Sequence, residues 1–267
     1  MALRATHPGR PPHVVVIGAG FGGLATVRGL RNTAVRVTWI DRKNHHLFQS
    51  LLYQVATAAL SPADIAAPAR GIARTWRNVE AVLAEVTGID AEARVVKTTR
   101  QTYSYEYLVV ATGAETSYFG NEKWARLADG LKTLEEAVAI RRKVLLSLEL
   151  AETAQSEEER RRLLTFVLIG AGPTGVEMAG AIADLAKHML ARDFRHIESG
   201  TICVILLEAM DQVLPGIRAI LRPSPRESSR KWASMSARTP RSKTLMKRMS
   251  SPAEPGSPAE RSFGAPA

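Results

Sequence analysis

The sequence predicts an α/β fold made of two strand–turn–helix–strand units, followed by a segment of different character. Three observations predict it. The phrase "VVVIGAGFGGLATVRGL" at residues 14–30 returns as "VLIGAGPTGVEMAGAIA" at residues 167–183. In each copy an apolar, β-branched run leads into glycines at G-x-G-x-x-G spacing and then into a helical pattern. Beyond Gly216 the periodicity stops, and Ser, Arg and Pro dominate.

Bulk composition narrows the reading. A chain of 267 residues with 45% apolar content has material for one or two domains with a real core. The net charge of +10 invites a nucleic-acid partner, but its distribution argues against one. Gly216–Ala267 holds 11 Lys or Arg against 3 Glu, a net of +8, which leaves +2 for the first 215 residues. The basic character therefore belongs to the tail. The one cysteine, Cys203, cannot form an internal disulfide, which fits a reducing compartment. It lies in "TICVILLE" and is expected to be a buried core thiol. No apolar run reaches the roughly 18 residues needed to span a bilayer. The N-terminus "MALRATHPGRPP" has no apolar signal core. A cytoplasmic location follows, with attachment to a membrane surface left open.

The first unit starts with a strand from His13 to Ile17. Gly18, Gly20 and Gly23 make the turn, and Leu24 to Arg31 continues as a helix. "VRVTWID" is the second strand and ends at Asp41, 23 positions after Gly18. This is the Rossmann-like grammar of a dinucleotide site. Gly18 permits the tight turn, Gly20 lets a pyrophosphate approach the backbone, and Gly23 lets helix and strand pack closely. The helix N-terminus offers N–H groups and partial positive charge to phosphates. Asp41 is placed to accept hydrogen bonds from a ribose diol.

The second unit repeats this. Leu164 to Ile169 is the strand, Gly170, Gly172 and Gly175 form the turn, and Thr174 onward is a helix. "TICVILLE" ends at Glu208, 38 positions after Gly170, where about 20 is usual. "AKHMLARDFRHIESG" absorbs the excess as a longer helix plus a loop. Between the units, "YEYLVVATGAETSYFG" reads as a buried strand closing on Ala111, Thr112 and Gly113, small residues that let backbone approach a ligand. "TLEEAVAIRRKVLLSLELAE" has the spacing of a core-packing helix, and "AETAQSEEERRRLL" that of a charged helix surface. His45 and His46 are adjacent and lack metal-ligand spacing, so no metal is expected.

Paired glycine turns around an "ATG" strand resemble the FAD/NAD(P)-binding pyridine nucleotide-disulfide oxidoreductase-like flavoproteins. "HHLFQSLLYQVATAALSPADIA", "GAGPTGVEMAG" and "VILLEAMDQVLPG" more narrowly resemble type II NADH dehydrogenases, the single-subunit NADH:quinone oxidoreductases. The resemblance runs from about His13 to Gly216. It implies two Rossmann-like FAD/NAD(P)-binding units, the second incomplete, with a disordered C-terminal tail. The implied divisions are 1–122 for the FAD-binding domain, 123–216 for the NADH-binding domain and 217–267 for the tail.

The resemblance also implies roles. Gly18, Gly20, Phe21, Gly22, Gly23 and Asp41 would hold FAD, with Arg42 and Lys43 flanking its adenosine. Backbone at Val86 would meet the adenine, and Ala111, Thr112 and Gly113 would lie along the flavin. Gly170, Gly172, Pro173, Thr174, Gly175 and Glu208 would hold NADH. No Arg closely follows Glu208, so a 2′-phosphate is disfavoured and NADH preferred over NADPH. Glu177 reads either as a first-turn carboxylate complementing the helix dipole or, by resemblance, as the catalytic acid beside nicotinamide and flavin. "FQSLLYQVATAAL" reads equally as a quinone path or an amphipathic core helix. The implied activity is electron transfer from NADH through FAD to a quinone. The alternatives are a non-catalytic dinucleotide-binding fragment and a soluble oxidoreductase with another acceptor. Absence of a C-x-x-x-x-C or C-x-x-C pair argues against a dithiol mechanism.

The tail lacks the strands that the family carries after its second acid, and its composition reads as disorder. Two readings account for it: a frameshift, or a genuine disordered basic tail, and the frameshift explains more of the residues. One allowed coding of "KWASMSARTPRSKTLMKRM", read from the third base, gives an alternating β segment. "RSFGAP" in that frame gives a short apolar strand like one in the family. A chain so truncated is expected to bind FAD weakly and to lack quinone reductase activity.

Overall fold

Five consecutive buried residues, His13–Ile17, form the strand on which the first unit is built, β1. The computed structural model describes residues 9–197, 200–209, 214 and 243–248 of the chain. Within it, Met1–Ala139 and Ile140–Ala267 are separate compact units.

In the first unit β1 is followed by helix α1 (Phe21–Leu30) and strand β2 (Arg36–Asp41). A short strand β3 (His45–Leu47) leads through a 3-10 turn to helix α2 (Leu52–Ala56). Helix α3 (Pro62–Ile65) follows, then strand β4 (Ala66–Pro68), helix α4 (Ala69–Ala73) and strand β5 (Val79–Leu83). Strands β6 (Val86–Asp90), β7 (Val95–Thr98) and β8 (Thr102–Ser104) form an antiparallel sheet. Strand β9 (Tyr107–Val110) returns to the main sheet, whose order is β5-β2-β1-β9, all parallel.

Alternation along β1 decides what covers that sheet. Val14 and Val16 pack in one cluster with Leu24, Val27, Trp39 and Ala73, under helices α1 and α4. Val15 and Ile17 face the other way and pack with Ile40 and Val96, so the antiparallel sheet covers that face. The first residue of β1 is a buried histidine. Arg36 donates to His13 Nδ1 at 2.8 Å, so that nitrogen is an acceptor, and His13 Nε2 meets Thr38 Oγ1 at 2.8 Å. Burial, and after it the Arg36 charge, push the His13 pKa below its ordinary value.

Of the two readings of "FQSLLYQVATAAL", the amphipathic core helix is cut short. Only Leu52–Ala56 is α-helical. Thr57 Oγ1 turns back to Tyr53 O at 2.8 Å, and Ala58 adopts φ +63, which no helix continues through.

Helix α5 (Leu134–Glu152) starts at a capping box. Glu136 N donates to Thr133 Oγ1 and Thr133 N to Glu136 Oε2. In the second unit its Val144, Leu148 and Ala151 are buried. Helix α6 (Glu157–Leu163) is the expected charged helix, capped by Ser156. Strand β10 (Thr165–Ile169), helix α7 (Pro173–Asp193) and strand β11 (Cys203–Glu208) follow. The long α7 is what widens the glycine-to-acid spacing.

One expectation needs correction here. Cys203 is only partly buried, because Val204 and Leu206 occupy the alternate, core-facing positions of β11. Most of the tail, 217–267, lies outside the described residues. Within it, Lys243–Arg248 forms strand β12, parallel to β11 from Cys203↔Lys243 to Glu208↔Arg248. The sheet order is β10-β11-β12. A composition averaged over the whole tail hides six residues whose main-chain groups pair with the edge of β11.

Candidate functional site

Both glycine turns are stretched across the ends of parallel strands, and their strand contacts and close approaches match. Gly18 has φ +105 and donates to Ile40 O at 2.8 Å; Gly170 has φ +98 and donates to Leu207 O at 2.8 Å. A Cβ on Gly23 would lie 1.8 Å from Gly18 O, and one on Gly175 would lie 1.9 Å from Gly170 O. Glycine is required there by contact between helix and turn. A Cβ on Gly20 or Gly172 would meet nothing within 4 Å. Those two glycines face open space, as close approach of a ligand to the main chain demands. Gly22 sits against the Ala111 side chain.

Each turn feeds a helix. Gly20 is the N-cap of α1 and no side chain caps it, so the first-turn N–H groups remain for a ligand. Pro173 is the first residue of α7, where its missing N–H costs nothing, and Thr174 follows on the exposed side.

The two acids also match. Asp41 Oδ2 accepts from Ala19 N at 2.5 Å, and Oδ1 from Lys43 N at 2.6 Å. Glu208 Oε2 accepts from Ala171 N at 2.6 Å. Each carboxylate thus tethers its strand end to the second residue of its turn. An ionised carboxylate accepts about four hydrogen bonds, so ribose hydroxyls can be added.

Other predicted residues fall around the first turn. Ala111 N donates to Ile17 O at 2.8 Å, continuing β9 past Val110. Its carbonyl would lie 2.2 Å from a Cβ on Gly18, so Ala111 backs the turn. Thr112 and Gly113 are exposed, and Gly113 has φ +75. Val86 begins β6 and packs against the Val15–Ile40 cluster. Arg42 pairs with Glu115 at 2.5 Å, and Lys43 pairs with Glu135. The Glu115 hydrogen bond and charge raise the Arg42 pKa; the Lys43 hydrogen bond lowers that of Glu135. Both cations that were to flank an adenosine are thus engaged with carboxylates.

Glu177 requires a correction. The first turn of α7 contains no acid, and Glu177 lies one turn further on, exposed. The helix starts at Pro173, so a dipole-capping role does not fit its position.

Two groups were not singled out as site residues by the sequence reading. Trp39 Nε1 donates to Gly18 O at 2.9 Å from the core, a contact hidden in an ordinary strand pattern. His46 Nδ1 lies 2.7 Å from Ala19 O, and its ring meets Phe21 edge-on at 5.3 Å. No spacing rule would have found either.

Relatives agree with this architecture. The pyridine nucleotide-disulphide oxidoreductase family matches residues 12–228, further than the resemblance drawn above. The type II NADH:quinone oxidoreductase Ndh of Mycobacterium tuberculosis is 47% identical over 218 residues, 80% of this chain and 47% of that protein. NdhA of the same organism is 47% identical over 206 residues, 76% of this chain and 44% of that protein. The chain therefore spans under half the length of both. NDH2 of Plasmodium falciparum, solved in complex with NADH, superposes with a TM-score of 0.77 at 22% identity, covering 89% of this chain and 48% of that one.

Proposed function

The chain belongs to the pyridine nucleotide-disulphide oxidoreductase family, and we propose that its first turn takes FAD and its second NADH, in an enzyme that passes electrons from NADH to a quinone. One observation carries this reading: the two turns share a tethered acid, an uncapped or Pro-started helix and an open glycine, at Ala19–Asp41 and Ala171–Glu208. The 47% identity to quinone oxidoreductases supports the acceptor.

A bound flavin supplies the hydride and electron chemistry. The chain's residues bind and orient. Backbone of Gly18–Gly23 and the start of α1 neutralise the FAD pyrophosphate, and Asp41 accepts from the ribose. Gly170, Gly172, Thr174 and Gly175 do the same for NADH, and Glu208 accepts from its ribose while repelling a 2′-phosphate. Ala111, Thr112 and Gly113 present backbone along the flavin, and backbone at Val86 meets the adenine. Arg42 and Lys43 exchange part of their pairing with Glu115 and Glu135 for the adenosine side. Glu177, exposed on α7, orients the nicotinamide or assists proton movement to the quinone. Among the described residues no helix is long and apolar enough to cross a membrane. Action in the cytoplasm, or at the cytoplasmic face of a membrane, belongs to the same proposal.

The test is purification followed by flavin absorbance, NADH binding and NADH oxidation with a short-chain quinone. NADH binding and flavin absorbance, however weak, are the expected results, and NADH-dependent quinone reduction decides between an enzyme and a binding module; a chain that binds neither nucleotide refutes the reading.

A further inference from the structure

Both peptide groups of the second turn residue are pinned in each unit, but by different chemistry. Ala19 N–H goes to Asp41 Oδ2 and Ala171 N–H to Glu208 Oε2. On the other side, Ala171 O accepts from the main-chain N–H of Leu214 at 2.7 Å, with Leu214 at φ +55. Ala19 O instead meets His46 Nδ1 at 2.7 Å. At the first turn a side chain from β3 thus does what backbone does at the second.

We infer that His46 is a positioning residue of the first turn, which fixes the Ala19–Gly20 peptide for a dinucleotide pyrophosphate. This rests on the reading of that turn as the FAD site. A carbonyl only accepts, so His46 Nδ1 carries the proton and donates. The peptide is planar and trans, so holding Ala19 O on His46 sends Gly20 N–H the opposite way. Gly20 is the N-cap of α1 and the residue beside open space. Its donor is then aimed before the ligand arrives, which lowers the ordering cost of binding.

The imidazole is itself held. His46 lies in β3, which pairs antiparallel with β4 through His46↔Ala67, and it is buried. Phe21 closes over it edge-on at 5.3 Å, and Phe48 meets Phe21 at 5.2 Å. Phe21 stays 47% exposed at the first position of α1. His46 therefore sets the carbonyl on one side and the first helical side chain on the other.

The test compares the unmodified chain with His46→Phe and His46→Asn, measuring FAD and NADH binding and amide exchange in the unliganded protein. Phe keeps an aromatic ring but loses the donor. Asn keeps an N–H at the same bond count from Cβ as Nδ1. His46→Phe is expected to weaken FAD binding about tenfold, the scale of one lost buried hydrogen bond. His46→Asn is expected to stay within about threefold of the unmodified chain. NADH binding should not change in either, because Leu214 serves the second turn. Amide exchange should quicken at residues 19–24 in His46→Phe and stay unchanged at 171–176. Unchanged exchange at 19–24, or equal losses at both turns, overturns the inference. If the unmodified chain binds no FAD, the cofactor reading fails on its own, and the exchange comparison still decides whether His46 sets the turn.

Discussion

The indole N–H of Trp39 donates to the carbonyl of Gly18 at 2.9 Å, beneath the first glycine turn. At the matching register of the second unit, opposite Leu168 as Trp39 is opposite Val16, stands Leu206. The first turn is thus braced from the core by a polar group that the second lacks. Trp39→Phe should keep most of the packing and leave Gly18 O without its donor. A loss of about 1–3 kcal/mol is expected, read from denaturant midpoints. Leu206→Ile, with no such bond to break, should cost less than about 1.5 kcal/mol. Equal losses would argue that the indole acts by volume alone.

The glycines within a turn should separate into two kinds. Gly23→Ala puts a methyl 1.8 Å from Gly18 O and should cost at least about 1–3 kcal/mol of stability. Gly20→Ala meets nothing within 4 Å and should change stability by under about 0.5 kcal/mol. Nucleotide binding at that turn should nevertheless fall in Gly20→Ala. Thermal melts beside FAD binding check the pair, and a Gly20→Ala protein with full FAD affinity would count against the cradle.

On the proposed reading, Glu208 sets cofactor preference. NADH should bind more tightly than NADPH, and Glu208→Gln should narrow the gap. The Gln carbonyl can still accept from Ala171 N, so the turn survives while the negative charge is gone. Competition binding with the two nucleotides measures this. Equal affinities in the unmodified chain would remove Glu208 from the role.

His13 makes stability depend on pH. Its folded pKa lies below the ordinary 6.5, through burial and the Arg36 charge. The unfolded chain therefore takes up the proton first. The contribution is full above pH 6.5 and is lost progressively as pH falls from there through the folded pKa. Denaturant midpoints between pH 7.5 and 5 should drop more steeply for the unmodified chain than for His13→Gln. Parallel profiles would show that His13 is not the titrating group.

Legibility followed the range of the interactions. Both glycine turns, their flanking strands and their acids are visible because each is a local pattern: alternation, glycine spacing, a carboxylate at a strand end. The same patterns misplaced Glu177, since a helix that starts at Pro173 rather than Thr174 leaves Glu177 beyond its first turn. They also overextended the helix after Phe48, because Thr57 and Ala58 end it by side-chain and backbone choices that apolar spacing does not register.

By itself the sequence determined the α/β class, the doubled unit and the residues that must be small or acidic at each turn. Only the tertiary structure decided how those turns are held. His46 reaches Ala19 across 27 residues and Trp39 reaches Gly18 across 21, while Lys243–Arg248 joins the edge of β11 from within a composition that reads as disorder. The physical reason is that a hydrogen bond needs a donor and an acceptor within about 3 Å. Strand order and chain reversal set that proximity, and neighbouring residues in the sequence do not.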